Sequence, residues 1–239
     1  GSTAEFIHCT IRNNSTSGGM SGQGGAGPEG RNVEPLIPYE IPSYGGGVYC
    51  AADTMVTFDG CSFENNVASG TPAGVDPNFR IDPYLGYGGG VAAEHTAMVL
   101  FVDCNVVDNE ADTGGGLYIA NGDAAVVDCN VATNIALRGA GLAGKGGTLE
   151  VAGTVFLNNF ATAELDPQNV EILPVGGGMF LETIDAWVHD NDLRGNASDG
   201  SGGGMYLRGE GEMYIFNNLI RNNLAFRDGA GISSVWFAT

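Results

Sequence analysis

Three aspartates occupy positions from which they could carry out acid–base chemistry. Asp103, Asp128 and Asp190 each directly precede the first residue of a recurring segment, the place that His8 takes once. If the segments stack, these side chains form an outward column, and hydrolysis of a glycosidic bond needs two carboxylates facing one another across it. A lyase acting on acidic sugars would also need basic groups, and the chain has 9 Lys and Arg in all. Catalysis on this column is therefore the runner-up interpretation.

Aromatic residues gather in two long insertions, at about 15–44 and 67–87. The insertions belong to successive repeats, so their aromatic side chains are expected to meet in one patch. Aromatic rings beside carboxylates suit sugar stacking or a protein interface. We therefore predict a ligand-binding surface, with packing of the loops onto the coil as the alternative; its residues are Tyr39, Tyr44, Phe79, Asp82, Tyr84 and Tyr87.

A third insertion, at about 160–175, is acidic. Glu164, Asp166 and Glu171 make it the place where a metal ion, calcium, would bind. The sequence has no D-x-D-x-D-G loop and no G-G-x-G-x-D nonapeptide, which favours a solvated acidic loop. The sequence predicts no cofactor other than this candidate calcium.

Four of the five cysteines occupy one equivalent position, as Cys9, Cys61, Cys104 and Cys129. A straight column of thiols cannot supply the four converging ligands that zinc requires. Buried thiols acting as small apolar groups are the favoured interpretation.

The repeat that positions all these residues is explicit. Seven anchor positions are each followed five residues later by Asn, and then by a Gly-x-Gly with an apolar residue. Where nothing is inserted the anchors are 25 residues apart, and apolar and polar residues alternate between them. A period of this length indicates stacked supersecondary units. The anchors are Cys9, Cys61, Cys104, Cys129, Thr154, Asn191 and Asn218.

This pattern predicts an all-β fold, a right-handed parallel β-helix of about seven coils with three short strands per coil and three loop insertions on one edge. Residues 1–239 are expected to form a single domain, a fragment of a longer repeat protein. The repeated Asn should stack about 4.8 Å apart and bond from coil to coil as a structural ladder. Its members are Asn14, Asn66, Asn109, Asn134, Asn159, Asn196 and Asn223.

The paired motifs also resemble a known repeat. Phe63 to Asn66 and Phe156 to Asn159 read F-x-x-N, and Gly45 to Val48 reads G-G-G-V. This combination is similar to the polymorphic outer membrane protein repeat of surface-exposed bacterial β-helical adhesins. The resemblance covers all seven coils and implies an architecture rather than an activity.

The net charge of the chain restricts the classes of binding partner that can be expected. With 28 Asp and Glu the formal net charge is −19, so a nucleic-acid partner is not expected. No stretch of about 18 apolar residues predicts membrane insertion. We expect an extracellular or cell-surface protein, non-enzymatic, acting as an adhesin or rigid stalk that binds a glycan or a protein of a host or neighbouring cell. A carbohydrate-active enzyme and a scaffold that self-associates end to end are the alternatives.

Overall fold

A computed structural model describes residues 2–17, 42–70, 86–163 and 173–236. These residues form 28 strands, and every pairing between them is parallel. Strands at equivalent positions of the repeat lie beside one another, in seven coils. The right-handed parallel β-helix predicted from the repeat is thereby confirmed.

The largest sheet, sheet 1, has 12 strands. Its strands, numbered in chain order, are β1 (Thr3–Ile7), β5 (Val48–Cys50), β6 (Met55–Asp59), β10 (Val91–Glu94), β11 (Met98–Val102), β14 (Leu117–Val127), β17 (Leu142–Ala152), β20 (Met179–Glu182), β21 (Asp185–His189), β24 (Met205–Arg208), β25 (Met213–Phe216) and β28 (Ile232–Val235).

Sheets 2 and 3 have seven strands each, one from every coil. Sheet 2 consists of β2 (Thr10–Arg12), β7 (Ser62–Glu64), β12 (Asn105–Val107), β15 (Asn130–Ala132), β18 (Val155–Leu157), β22 (Asp192–Arg194) and β26 (Leu219–Arg221). Sheet 3 consists of β3 (Ser15–Ser17), β8 (Val67–Ser69), β13 (Glu110–Ala111), β16 (Ile135–Ala136), β19 (Phe160–Ala161), β23 (Ala197–Ser198) and β27 (Leu224–Ala225). A short pair, β4 (Ser43–Tyr44) and β9 (Gly86–Tyr87), lies beside them.

Each coil contributes two strand segments to sheet 1. In the two coils of 25 residues these segments join, which gives the expected three strands per coil, whereas in the other coils they are separate strands. One segment follows the glycines, the glycine row, and the other precedes the anchor, the anchor row. In β14 and β17 both segments run on as a single strand of 11 residues, bent at Asn121 and at Gly146–Gly147, which have positive φ.

Inward side chains of the anchor row stack from coil to coil. Phe58 and Phe101 are fully buried, with ring centroids 5.2 Å apart and planes inclined by 17°. Phe63 of sheet 2 meets Phe58 edge-on at 84°. Val126, Val151 and Val188 continue the column. Burial of such side chains is the main favourable term in folding.

The seven Asn form a continuous hydrogen-bonded column. Asn109 is typical, since its Nδ2 and its backbone N–H both donate to Oδ1 of Asn134, each at 3.0 Å. The other Nδ2 hydrogen donates to the carbonyl of Phe63 at 2.9 Å. The side chain is 1% exposed. Each buried amide therefore satisfies its own polar atoms while it joins three coils.

The anchor column forms a second ladder that the sequence did not predict. The backbone N–H of Cys104 donates to Sγ of Cys129 at 3.4 Å, and that of Cys129 donates to Oγ1 of Thr154 at 3.2 Å. Farther along, the N–H of Thr154 donates to Oδ1 of Asn191 at 2.8 Å. Cys, Thr and Asn share this position because each offers a short side-chain acceptor to the preceding coil.

Glycine is required at the turn into sheet 1. Gly114 has a φ of 68°, in the left-handed region. A Cβ on Gly116 would lie 2.6 Å from the carbonyl oxygen of Gly141 in the next coil. Stacked coils approach here too closely for any side chain.

The insertions all open at one position of the coil, between sheet 3 and the glycine turn. Their predicted starts were too early, because Ser15, Val67 and Phe160 lie in β3, β8 and β19. These residues pair with neighbouring coils and belong to the solenoid. Residues 18–41, 71–85 and 164–172 lie outside the described structure.

Candidate functional site

Left-handed turns hold the three candidate catalytic aspartates. Asp103, Asp128 and Asp190 have φ values of 51°, 53° and 57°, and His8 shares the conformation at 50°. Asp, Asn and Gly adopt this backbone most readily, because their short side chains are tolerated or absent. The turn between the anchor row and sheet 2 thus accounts for the residue type without any catalytic role.

The same turns show how the aspartate side chains are used. A Cβ built on Gly153 would lie 2.1 Å from Oδ1 of Asp128, so this side chain lies over the glycine of the next coil. Gly153 thereby separates Asp128 from Asp190 by a full coil. Asp103 and Asp128 directly follow the paired residues Val102 and Val127, so the column places these two side by side, but not Asp128 and Asp190.

Two members of the predicted aromatic patch, Tyr44 and Tyr87, are described, and the structure does bring them together. Their rings stack at 5.2 Å with planes inclined by 19°, and Tyr87 contacts Tyr118 at 4.7 Å. Tyr49 contacts Tyr44 at 5.4 Å and completes what we call the tyrosine cluster. Tyr39, Phe79, Asp82 and Tyr84 lie outside the described residues.

Packing dominates the environment of the tyrosine cluster. Tyr118 is 7% exposed and joins a small core with Ala92, Ala143 and Phe180. Burial, and then the nearby carboxylate of Glu94, raise the pKa of Tyr44 to about 12. Within the described part of the chain the cluster therefore packs the glycine turn against sheet 1.

The candidate calcium ligands Glu164, Asp166 and Glu171 also lie outside the described residues. Elsewhere in the described ranges, no group of three or more His, Cys, Asp or Glu is arranged to hold a metal ion. The cysteines there are unpaired thiols. Burial raises the pKa of the Cys50 thiol to about 11, which keeps it protonated and unreactive at neutral pH.

A groove on the outer face of the anchor row is a better candidate site. Its volume is about 270 Å³. Small outward side chains on β14 and β17, such as Ala125 and Thr148, leave a depression that Met98 and Trp187 bound along the helix axis. Its lining consists of Met98, Asp123, Ala124, Ala125, Thr148, Leu149, Glu150 and Trp187.

Strand register explains how these residues meet. Asp123, Thr148 and Asp185 occupy one outward column on successive coils. Ala125, Glu150, Trp187 and Tyr214 occupy the adjacent column. Thr148 Oγ1 donates to Oδ1 of Asp123 at 2.5 Å, which orients that carboxylate. The groove therefore combines one aromatic ring with two carboxylates from neighbouring columns.

Beyond the groove, four rings form what we call the aromatic stripe: Trp187, Tyr214, His189 and Phe216. Trp187 stacks on Tyr214 at 5.9 Å with planes inclined by 15°, and His189 stacks on Phe216 at 4.8 Å. Trp187 is 41% exposed, Tyr214 49% and Phe216 47%. Partly exposed, mutually stacked rings on a rigid sheet form an apolar patch of the kind that marks interaction sites, which makes the stripe part of the candidate site.

Charged groups surround the stripe. His189 Nδ1 lies 2.9 Å from Oδ2 of Asp190, and Nε2 lies 3.4 Å from Oε1 of Glu150. The hydrogen bond to Asp190 and the field of both carboxylates raise the pKa of His189. The Tyr214 hydroxyl donates to Oε2 of Glu212 at 3.1 Å, which raises the pKa of Tyr214.

This site was not predicted from the sequence, although the sequence contains a signal for it. In β21 and β25, aromatic residues occupy outward positions of the alternating pattern, where a solvated strand normally carries polar side chains. Trp187 follows Glu150 by 37 residues, so their adjacency depended on the register across an insertion.

Comparison with known proteins agrees with the architecture. Residues 1–182 match the family model described as the right handed beta helix region. No curated protein and no solved structure matches the chain. The described residues contain no helix long and apolar enough to cross a membrane.

Proposed function

Because the chain belongs to the right-handed β-helix family, we propose that it is a rigid, non-enzymatic binding protein that holds a glycan in the groove beside Trp187. We place it outside the cell or on its surface, as an adhesin or as the stalk of one. The repeat resembling that of polymorphic outer membrane proteins and the acidic composition support this location.

One observation carries the proposal: an exposed tryptophan borders a groove that also presents Asp123 and Glu150. The apolar face of a sugar ring packs on an indole, while its hydroxyl groups donate to carboxylate oxygens. Few polar groups placed around an apolar surface are typical of small-ligand sites. The volume of about 270 Å³ suits one sugar unit of a longer chain.

Rigidity supports the same conclusion. The groove lies on strands of sheet 1 whose neighbours on both sides are paired in register. The Asn and anchor ladders fix the spacing of the coils beneath it. A ligand therefore meets side chains that are already in position and loses little affinity to reordering.

The first two insertions remain a second predicted ligand-binding surface. Tyr44 and Tyr87 are committed to the tyrosine cluster, so binding there would rest on Tyr39, Phe79, Asp82 and Tyr84. Replacing residues 18–41 and 71–85 by short linkers tests this surface separately from the groove.

The test is retention on insoluble polysaccharides, with calcium and with chelator. We expect the wild-type chain to be retained and Trp187→Ala to lose at least tenfold in affinity. Tyr49→Ala is the matched control, because Tyr49 is 47% exposed on the other row of sheet 1. Equal retention of Trp187→Ala and wild type would refute the groove, and loss on loop replacement would then transfer binding to the edge.

A carbohydrate-active enzyme is the second candidate, favoured by the two carboxylates of the groove in addition to Asp103, Asp128 and Asp190. The same incubations distinguish it, since an enzyme releases reducing or unsaturated ends. If the chain is neither retained nor active, elongation that depends on concentration in light scattering would favour the scaffold.

A further inference from the structure

We propose that the sugar bound in the groove carries a free amino group, so that the ligand is a cationic amino-sugar chain, such as an oligomer of 2-amino-2-deoxyhexose. This inference rests on the proposed function, because it names the class of glycan for the same groove.

The charged side chains that line the groove are all negative. Asp123 and Glu150 lie on successive coils and adjacent columns, and no basic side chain is present among the described lining residues. A uronic acid or sulfated sugar would place its negative charge against both carboxylates. The groove therefore selects against anionic glycans.

Carboxylates around the groove add to its negative electrostatic potential. Asp185 and Glu212 lie beside the stripe, joined by a hydrogen bond from Glu212 N–H to Asp185 Oδ1 at 2.9 Å. The basic group close to Glu150 is His189, which it shares with Asp190. Several carboxylates around one imidazole leave an excess of negative charge that attracts a cation.

A neutral sugar would use the site only in part. Its hydroxyl groups can donate to Asp123 and Glu150, but both charges then lose water without being neutralised. An ammonium group on the same ring donates charge-assisted hydrogen bonds, which are stronger.

Trp187 adds a third preference for a cation. The ring bounds the groove, and its neighbour Tyr214 stacks against it from the following coil. An indole face attracts an ammonium group more strongly than the other aromatic side chains do. An aminated sugar thus presents a C–H face and a positive charge to one ring.

The experiment compares a glucosamine tetramer with an N-acetylglucosamine tetramer, which has the same backbone without the charge, by titration calorimetry on the intact chain. We expect at least tenfold tighter binding of the glucosamine tetramer, falling as salt is added. The double variant Asp123→Asn, Glu150→Gln should remove this preference, while Trp187→Ala weakens both ligands.

Glu5→Gln is the matched control. Glu5 occupies the same outward column as Glu150, four coils away, so its substitution removes one negative charge, as Glu150→Gln alone does, and leaves the groove intact. It should keep the full preference. Thermal midpoints close to that of wild type would establish that each variant is folded.

The outcomes separate the two proposals. Equal binding of both tetramers, lost in Trp187→Ala, would overturn the amino-sugar inference and leave the glycan-binding function standing. Equal binding of tetralysine would reduce the effect to charge attraction and also overturn the inference. If no glycan binds by any measure, the proposed function itself fails.

Discussion

Two aromatic stacks lie on the outer face of the same sheet, and their solvent contact differs. In the tyrosine cluster, Tyr44 and Tyr87 come from the turn before the glycines and pack on Tyr118, which is 7% exposed. In the aromatic stripe, Trp187 and Tyr214 stack in a similar geometry but stay 41% and 49% exposed. Stacking from coil to coil therefore does not decide the role of a ring. What covers the ring does.

The sharpest test of this comparison is stability. Tyr118→Ala should lower the free energy of unfolding by about 3 kcal/mol, because it leaves a cavity beneath Tyr44 and Tyr87. Trp187→Ala should cost about 1 kcal/mol or less, since it removes a stacking partner from a wet surface. Urea denaturation monitored by circular dichroism measures both. Similar losses in the two variants would break the distinction.

The buried Asn column should contribute to stability as the buried ring of Tyr118 does, and more than the exposed ring of Trp187. Asn109→Ala should lower the free energy of unfolding by about 2 kcal/mol, because buried groups of Asn134 and Phe63 lose their partners. Asn105→Ala on the same coil is the control, since its side chain lies on the outer side of β12, where it accepts a bond from Asn130 at 2.7 Å and donates one to Oγ of Ser62 at 3.4 Å. It should cost less than about 1 kcal/mol. An unchanged denaturation midpoint for Asn109→Ala would defeat the ladder argument.

High pH should destabilise the covered stack. The pKa of Tyr44 is about 12 in the folded chain, above its ordinary value of 10.0, so the folded state retains the phenol proton longer than the unfolded state. Its stabilising contribution is complete below pH 10 and is lost as pH rises through 12. The thermal midpoint should therefore fall across this range, and Tyr44→Phe should flatten the decline. A midpoint equally steep in Tyr44→Phe would assign the loss to other groups.

The smallest effect concerns the exposed stripe. Asp190→Asn should lower the pKa of His189 toward its ordinary value of 6.5, because the hydrogen bond that the imidazole donates to Asp190 is the largest cause of the raised pKa. The backbone should tolerate this change, since Asn217 takes the same left-handed turn in the next coil. A proton NMR titration of the imidazole measures it.

The raised pKa of His189 makes the stability of the fold depend on pH. A raised folded pKa means that the charged imidazole adds stability below pH 6.5, and this contribution disappears as pH rises through the folded pKa. An unaltered titration in Asp190→Asn would show that Glu150 alone sets the pKa, which would tie His189 to the groove.

Much of the fold was readable from particular residues. Asn109, Gly114 and Gly116 each occupy positions that almost no other residue type can fill, so their recurrence revealed the coil. The anchors were harder, since Cys129, Thr154 and Asn191 share only an acceptor atom, and their ladder was missed. The insertions were found, but their first residues proved to be strands of sheet 3.

Most of the candidate site could not be predicted from the sequence. Asp103, Asp128 and Asp190 drew attention because they recur, and recurrence reflects the left-handed turn. Trp187 occurs once, and a residue that occurs once leaves no periodic signal. Its importance depends on small neighbours such as Ala125 and Thr148 in earlier coils.

The repeat therefore specifies the coil, its turns and its inward columns, because close approach and buried hydrogen bonds restrict each of those positions to few residue types. Which outward residues meet, and which of them are covered, depends on the stacking of the coils. Successive coils differ by 25 to 52 residues along the chain, but they stack at one spacing in space. Adjacency across that stack brings Trp187 to Glu150 and leaves it exposed, whereas the turn residue Tyr87 covers Tyr118.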